Sequence, residues 1–68
     1  MAVTKVIEVI GSSATGSDDA VREALAAAQR SIRGITSIEV TQVTCVVEDG
    51  AIARWDALVK MFFPVEPR

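Results

Sequence analysis

Sixty-eight residues hold one domain and no more, and a chain this short buries only roughly 60% of the surface its unfolded form exposes. One cysteine and no histidine exclude an internal disulfide, a cysteine-rich zinc site and the commonest general base, so self-association is left to complete a marginal core. A net charge of −2 with a pI of about 4.9 offers no basic footprint for nucleic acid. No run approaches the ~18 consecutive apolar residues of a membrane span, although half the residues are hydrophobic and mean hydropathy is +0.36.

The opening "MAVTKVIEVIGSSA" carries one lysine, an interrupting glutamate and too short an apolar run for a signal peptide. The expected location is the cytoplasm, which suits a lone reduced cysteine. Within this opening, "VTKVIEVI" (3–10) reads as an interior strand, because Val3, Val6, Ile7, Val9 and Ile10 populate both faces. "GSSATGSDD" (11–19) follows as a loop of small, turn-forming residues. It lacks the glycine-lysine signature of a phosphate-cradling loop and is read as a plain connection.

"DDAVREALAAAQRSIR" (18–33) predicts an amphipathic helix. Val21, Leu25, Ala28 and Ile32 recur at helical spacing, with Ala24 beside them. Ser17 is the expected N-cap, and Asp18 and Asp19 favour the positive end of the helix dipole. Arg22, Glu23, Gln29, Arg30 and Arg33 take the solvated side. Gly34 is placed to cap the C-terminus in left-handed geometry.

"GITSIEVTQVTCVV" (34–47) is β-rich but does not alternate cleanly. Simple alternation puts Ile38, Val40 and Val46 on one face and Val43, Cys45 and Val47 on the other, so this strand needs cover on both sides. Asp49-Gly50 is the central pair expected of a type I′ hairpin turn. "AIARWDALVKMFF" (51–63) returns as a third strand. Ala51, Ala53, Trp55, Ala57, Val59, Met61 and Phe63 form an apolar face, and Ile52, Arg54, Asp56, Leu58, Lys60 and Phe62 a mixed one. "PVEPR" is a proline-limited tail. Trp55 is expected in the core, and Cys45 as a small packed hydrophobe, since no histidine activates it.

The expected fold is α+β: a single domain over 1–68, ordered β-α-β-β, with a three-stranded antiparallel sheet packed on one helix. The helix covers one face, so the other must meet further copies or a ligand.

The ordered set "KVIEVIGSS…DDAVREALAAAQRSIRGI…IEV…EDGAI…W…VKMFF" resembles the dodecin family over nearly the whole chain. The first strand follows the pattern K-V-I-E-V-x-G-(S/T)-S, the helix D-A-(V/I)-R-x-A-(L/V), and the hairpin (V/E)-D-G-x-(I/V). The resemblance implies a hollow homododecamer that binds riboflavin, FMN or FAD as stacked pairs at twofold interfaces. Such proteins store or buffer flavin without catalysis, and some members associate with coenzyme A.

The resemblance also implies site positions. The family's flavin-stacking tryptophan falls on Ser37, a glutamine that bonds the flavin's polar edge on Asp56, and an arginine of the second strand on Thr44. All three cofactor-binding positions are therefore substituted here. The alternative reading is a dodecin-like oligomer that has lost flavin and binds a cation such as calcium, coenzyme A, or no ligand. In that reading Ser37 donates a hydrogen bond, and Asp56 meets a cation or is neutralised by Arg54. No metal ligand set is assigned. Without histidine, a second cysteine or paired carboxylates in one motif, no enzyme is expected.

Overall fold

The computed structural model describes residues 2–65, so positions 66–68 of the proline-limited tail lie outside the described residues. Four elements follow one another: β1 (Val3–Ser13), α1 (Ser17–Gln29), β2 (Ser37–Glu48) and β3 (Ala51–Val65). The strands form one antiparallel sheet in the order β1-β3-β2. The longest strand, with the strictest alternation, is therefore central. β1, read from the sequence as interior, lies at an edge. Its outer-face residues Val6 and Ile10 are exposed, so apolar residues on both faces mark no second strand neighbour.

The hairpin forms as its residues dictate. Asp49 and Gly50 have φ of 52° and 78°, the paired positive values that a type I′ turn needs. Glu48 then faces Ala51, and the ladder runs to Ser37 opposite Phe62. Register shifts interrupt it twice, between Val40 and Gln42 and, at Ala53 of β3, between Val46 and Val47. Thr41 is the extra residue of a β-bulge, and it reverses the side on which every later side chain stands. Ile38, Val40, Val43 and Cys45 consequently share one face, opposite Met61, Val59, Ala57 and Trp55. Val46, opposite Arg54, stands on the other. The two-sided pattern expected of this strand is thus a one-sided pattern broken by one inserted residue.

α1 ends earlier than its apolar spacing suggests. Residues 30–33, expected as its last turn, leave the helix, and the turn that ends at Gln29 holds no basic residue. Gly34 does adopt φ 78°, several residues beyond the helix end. The N-cap position is Gly16, not Ser17, and no side chain caps it. Ser13 organises the entry instead. Its hydroxyl donates to Asp19 Oδ2 (2.8 Å) and accepts from the backbone N–H groups of Thr15 (2.9 Å) and Gly16 (3.4 Å).

The core lies between α1 and the inner face of β3 and β1. Ala20, Ala24, Ala57, Val59 and Met61 are buried, and Ile7, Val9, Val21, Leu25, Ala28, Ile35 and Ile38 pack around them. Gly11 makes the close approach possible. A Cβ there would overlap the Ala20 carbonyl oxygen and stand 2.9 Å from the Ala24 Cβ, so only glycine lets helix and strand meet. The helix is short beside its sheet. Thirteen residues span roughly 20 Å, whereas the fifteen of β3 span roughly 50 Å, and the whole chain measures 54 × 20 × 12 Å. α1 lies chiefly over β1 and β3. The inner face of β2 is left open, with Val40 and Val43 48% and 45% exposed. Cys45, expected to be packed, is exposed for the same reason.

Candidate functional site

The outer face of the sheet, turned away from α1, carries the even-numbered side chains of β3 from Arg54 to Phe62. Its rows follow from the register. Ser12, Asp56 and Thr44 form one row, and Ile10, Leu58 and Gln42 the next. Glu8, Lys60 and Glu39 follow, then Val6, Phe62 and Ser37. Beta alternation puts hydrophobic and charged rows side by side on one open surface.

Asp56 is the best-held polar group on this face. Arg54, two residues back on the same strand and therefore on the same face, grips it with both ends of its fork. Nε donates to Oδ1 at 2.9 Å and Nη2 to Oδ2 at 3.4 Å. Ser12 Oγ donates to the same Oδ1 at 2.7 Å. The Arg54 guanidinium, followed by the Ser12 hydroxyl, holds the Asp56 carboxyl below its usual range, and Asp56 in turn raises Arg54. The carboxylate is 21% exposed and the guanidinium 51%, so this is a surface pair that orients Asp56 more than it stabilises the fold.

Beside it, Ile10, Gln42, Thr44, Asp56 and Leu58 line a hollow of about 160 Å³. Two apolar walls and three polar groups on one concave surface suit a planar ligand with a polar edge. Of the positions marked by the resemblance, the fold brings Thr44 and Asp56 together as cross-strand partners in this hollow. Ser37 lies elsewhere. It faces Phe62, six residues along β3 from Asp56, or roughly 20 Å away at strand spacing. One chain cannot present Ser37 and Asp56 to the same ring system.

Ser12, Ile10 and Gln42 were not legible as site residues, because their places depend on register. The Arg54–Asp56 contact had a signal in the sequence: an i, i+2 pair of opposite charge on a strand shares a face. Trp55, expected in the core, stands on the inner face between Ser13 and Cys45 but outside the core cluster, half-buried beside the polar start of α1. Among the described residues no group of three acidic or cysteine side chains is disposed to hold a metal ion, and no helix is long and apolar enough to cross a membrane.

This architecture defines a small α+β protein with one helix-covered sheet face and one open face bearing a polar-edged hollow. The family model described as Dodecin matches residues 3–66, and the chain belongs to the dodecin family. The structure of dodecin from Streptomyces coelicolor is 39% identical, with 98% of this chain and 96% of that chain covered and a TM-score of 0.92. Dodecin from Streptomyces davaonensis is 27% identical over 97% of both chains, with a TM-score of 0.91. A variant of the Thermus thermophilus dodecin shares the fold in full, at 24% identity and a TM-score of 0.94 over both whole chains. Comparison with curated proteins gives no match. Family membership supports a small, non-catalytic protein of flavin-binding type.

Proposed function

We propose that this protein binds and buffers a flavin without catalysis, holding it on the outer sheet face where two copies meet. The hollow beside Asp56 carries this reading. Its Ile10 and Leu58 walls suit an isoalloxazine face, and Gln42 and Thr44 suit its polar edge. At about 160 Å³ it falls below the ~300–1,000 Å³ of ordinary ligand pockets, so one chain supplies only part of the site. The distance from Ser37 to Asp56 supports the same arrangement, since only a second copy can bring the two ends of the outer face to one ligand.

Self-association has its own support on the inner face. Val40 and Val43 of β2 are uncovered. A groove of about 450 Å³ runs between α1 and β1, lined by Ile7, Val9, Ala24, Ala27, Ala28 and Ile32 among others. An apolar strand face and an apolar groove on one chain are complementary surfaces for successive copies, which supports the homododecamer of the family. A calcium reading draws no support from Asp56, because a guanidinium already neutralises it. The substitutions at Ser37 and Thr44 favour a second reading, an assembly that takes coenzyme A or no ligand in place of flavin.

Riboflavin titrated into the protein separates the two. The flavin reading expects added riboflavin to co-elute with the protein and to gain fluorescence anisotropy at micromolar concentration. Free riboflavin at all protein concentrations overturns it. Gel filtration is expected to give a particle of dodecamer size built from 7.2 kDa chains.

A further inference from the structure

We infer that Phe62 supplies the aromatic surface on which the bound ring stacks, in place of the side chain missing at Ser37. The inference rests on the flavin reading above and names the contact that would give that site its affinity. The chain has three aromatic residues, one tryptophan and two phenylalanines. The register of β1 against β3 is unbroken from Val3 opposite Val65 to Ser13 opposite Trp55, so Trp55 and Phe63 stand on the inner face with Val59 and Met61. Phe62 is the one aromatic side chain of the outer face.

The ring is half-buried within its own chain, and its surroundings leave one side of it open. Across β3 its partners are Val6, 47% exposed, and Ser37. Directly opposed side chains on antiparallel strands have Cβ atoms about 5 Å apart, and a serine hydroxymethyl is too small to cover a phenyl ring at that distance. The side of Phe62 toward β2 is therefore the less covered flank of a half-buried ring, with a hydroxyl at its margin. The backbone beneath it is fixed, because the Thr36 N–H and Oγ1 both donate to the Phe62 carbonyl oxygen, at 2.9 and 3.3 Å. Val6 continues the apolar surface on the far side. A ring resting there touches Phe62 and Val6 of one chain, while its polar edge reaches the Asp56 hollow of another.

The contact thus moves one strand over without leaving its row: the bulky group comes from β3 and the small one from β2. The ligand class that follows is a flat, largely uncharged aromatic ring system, because the adjoining Glu8–Lys60–Glu39 row holds two carboxylates against one ammonium.

The test is a riboflavin titration followed by anisotropy, with wild type, Phe62→Leu and Phe62→Trp compared at the same particle size by gel filtration. Leucine keeps apolar bulk and removes the π face, so its Kd is expected to rise about tenfold. Tryptophan keeps a ring and donates an electron readily to excited flavin, so the bound flavin is expected to lose much of its remaining emission at equal or tighter Kd. A Phe62→Leu Kd within about twofold of wild type overturns the assignment of Phe62 and leaves the flavin reading standing. Absence of riboflavin binding by wild type overturns both. If Phe62→Leu fails to assemble, Phe62→Trp decides, and bound flavin with unchanged emission overturns the stacking assignment.

Discussion

On the inner side of β3, Ala57, Val59 and Met61 are sealed beneath α1. One residue away on the outer side, Asp56, Leu58, Lys60 and Phe62 stand on an open surface with nothing of the same chain above them. The same backbone carries both rows, with the same hydrogen-bond partners on both flanks. What separates them is cover, which a single short helix provides once. The inner row is committed to stability, whereas the outer row keeps chemical variety because the fold of one chain does not depend on it.

The contrast is broken most severely by emptying the inner row. Met61→Ala, at a fully buried site, is expected to cost about 2–5 kcal/mol, against about 1 kcal/mol or less for Leu58→Ala on the outer row. Urea unfolding at fixed protein concentration checks the pair, and equal losses would show that the outer row is as much core as the inner. Gly11→Ala comes next. Its new methyl group meets backbone at Ala20, which cannot rotate away, and forcing extra volume there is expected to cost about 1–3 kcal/mol. An unchanged unfolding midpoint would mean that α1 does not sit so close to β1.

A smaller effect is expected from the outer row itself. Ser37→Trp places its ring against Phe62, so the two rings cover one another. Restoring tryptophan alone is expected to improve riboflavin affinity less than Ser37→Trp combined with Phe62→Ala, which clears the opposing face. Equal Kd values for the two variants would contradict the pairing. The smallest effect concerns Asp56, whose carboxyl is held below its usual range first by Arg54 and then by Ser12. Between the folded and the unfolded pKa the unfolded chain binds more protons, so stability rises with pH through that window. The contribution is complete above the ordinary carboxylate range and lost as pH falls through the depressed folded value. The midpoint difference between wild type and Asp56→Asn should therefore shrink in acid; a difference constant from neutral to acid pH would remove the ion pair from the account.

Much of this fold is written locally. Asp49-Gly50 specifies the hairpin, the Val21–Leu25–Ala28 stripe specifies the helix, and the alternation of 51–63 specifies the inner row. What escaped depends on partners remote in sequence. That β1 lies at an edge is decided by which strand pairs with which, and residues 3–10 carry no mark of it. The bulge at Thr41 has no compositional signature, since threonine is an ordinary strand residue, and its effect appears only as a change of parity between Val40 and Val43. The site was less legible than the fold. Ser37, Thr44 and Asp56 were singled out through family resemblance, and the sequence could not say that Thr44 and Asp56 are neighbours while Ser37 lies at the far end. Nor could it show that Ser13, in a stretch read as a plain connection, ties the start of α1 together.

The unpaired Thr41 makes chain length a determinant of surface chemistry. Removing that one residue would change neither the charge nor the hydrophobic content of β2. With the hairpin holding Glu48 opposite Ala51, Ile38 and Val40 would exchange places with Ser37 and Glu39. A carboxylate would enter the space against Val59, and two aliphatic side chains would surface beside the ligand hollow. In this strand a deletion is therefore a harsher event than nearly any replacement, and residue count between Ser37 and Glu48 constrains the protein as firmly as residue identity.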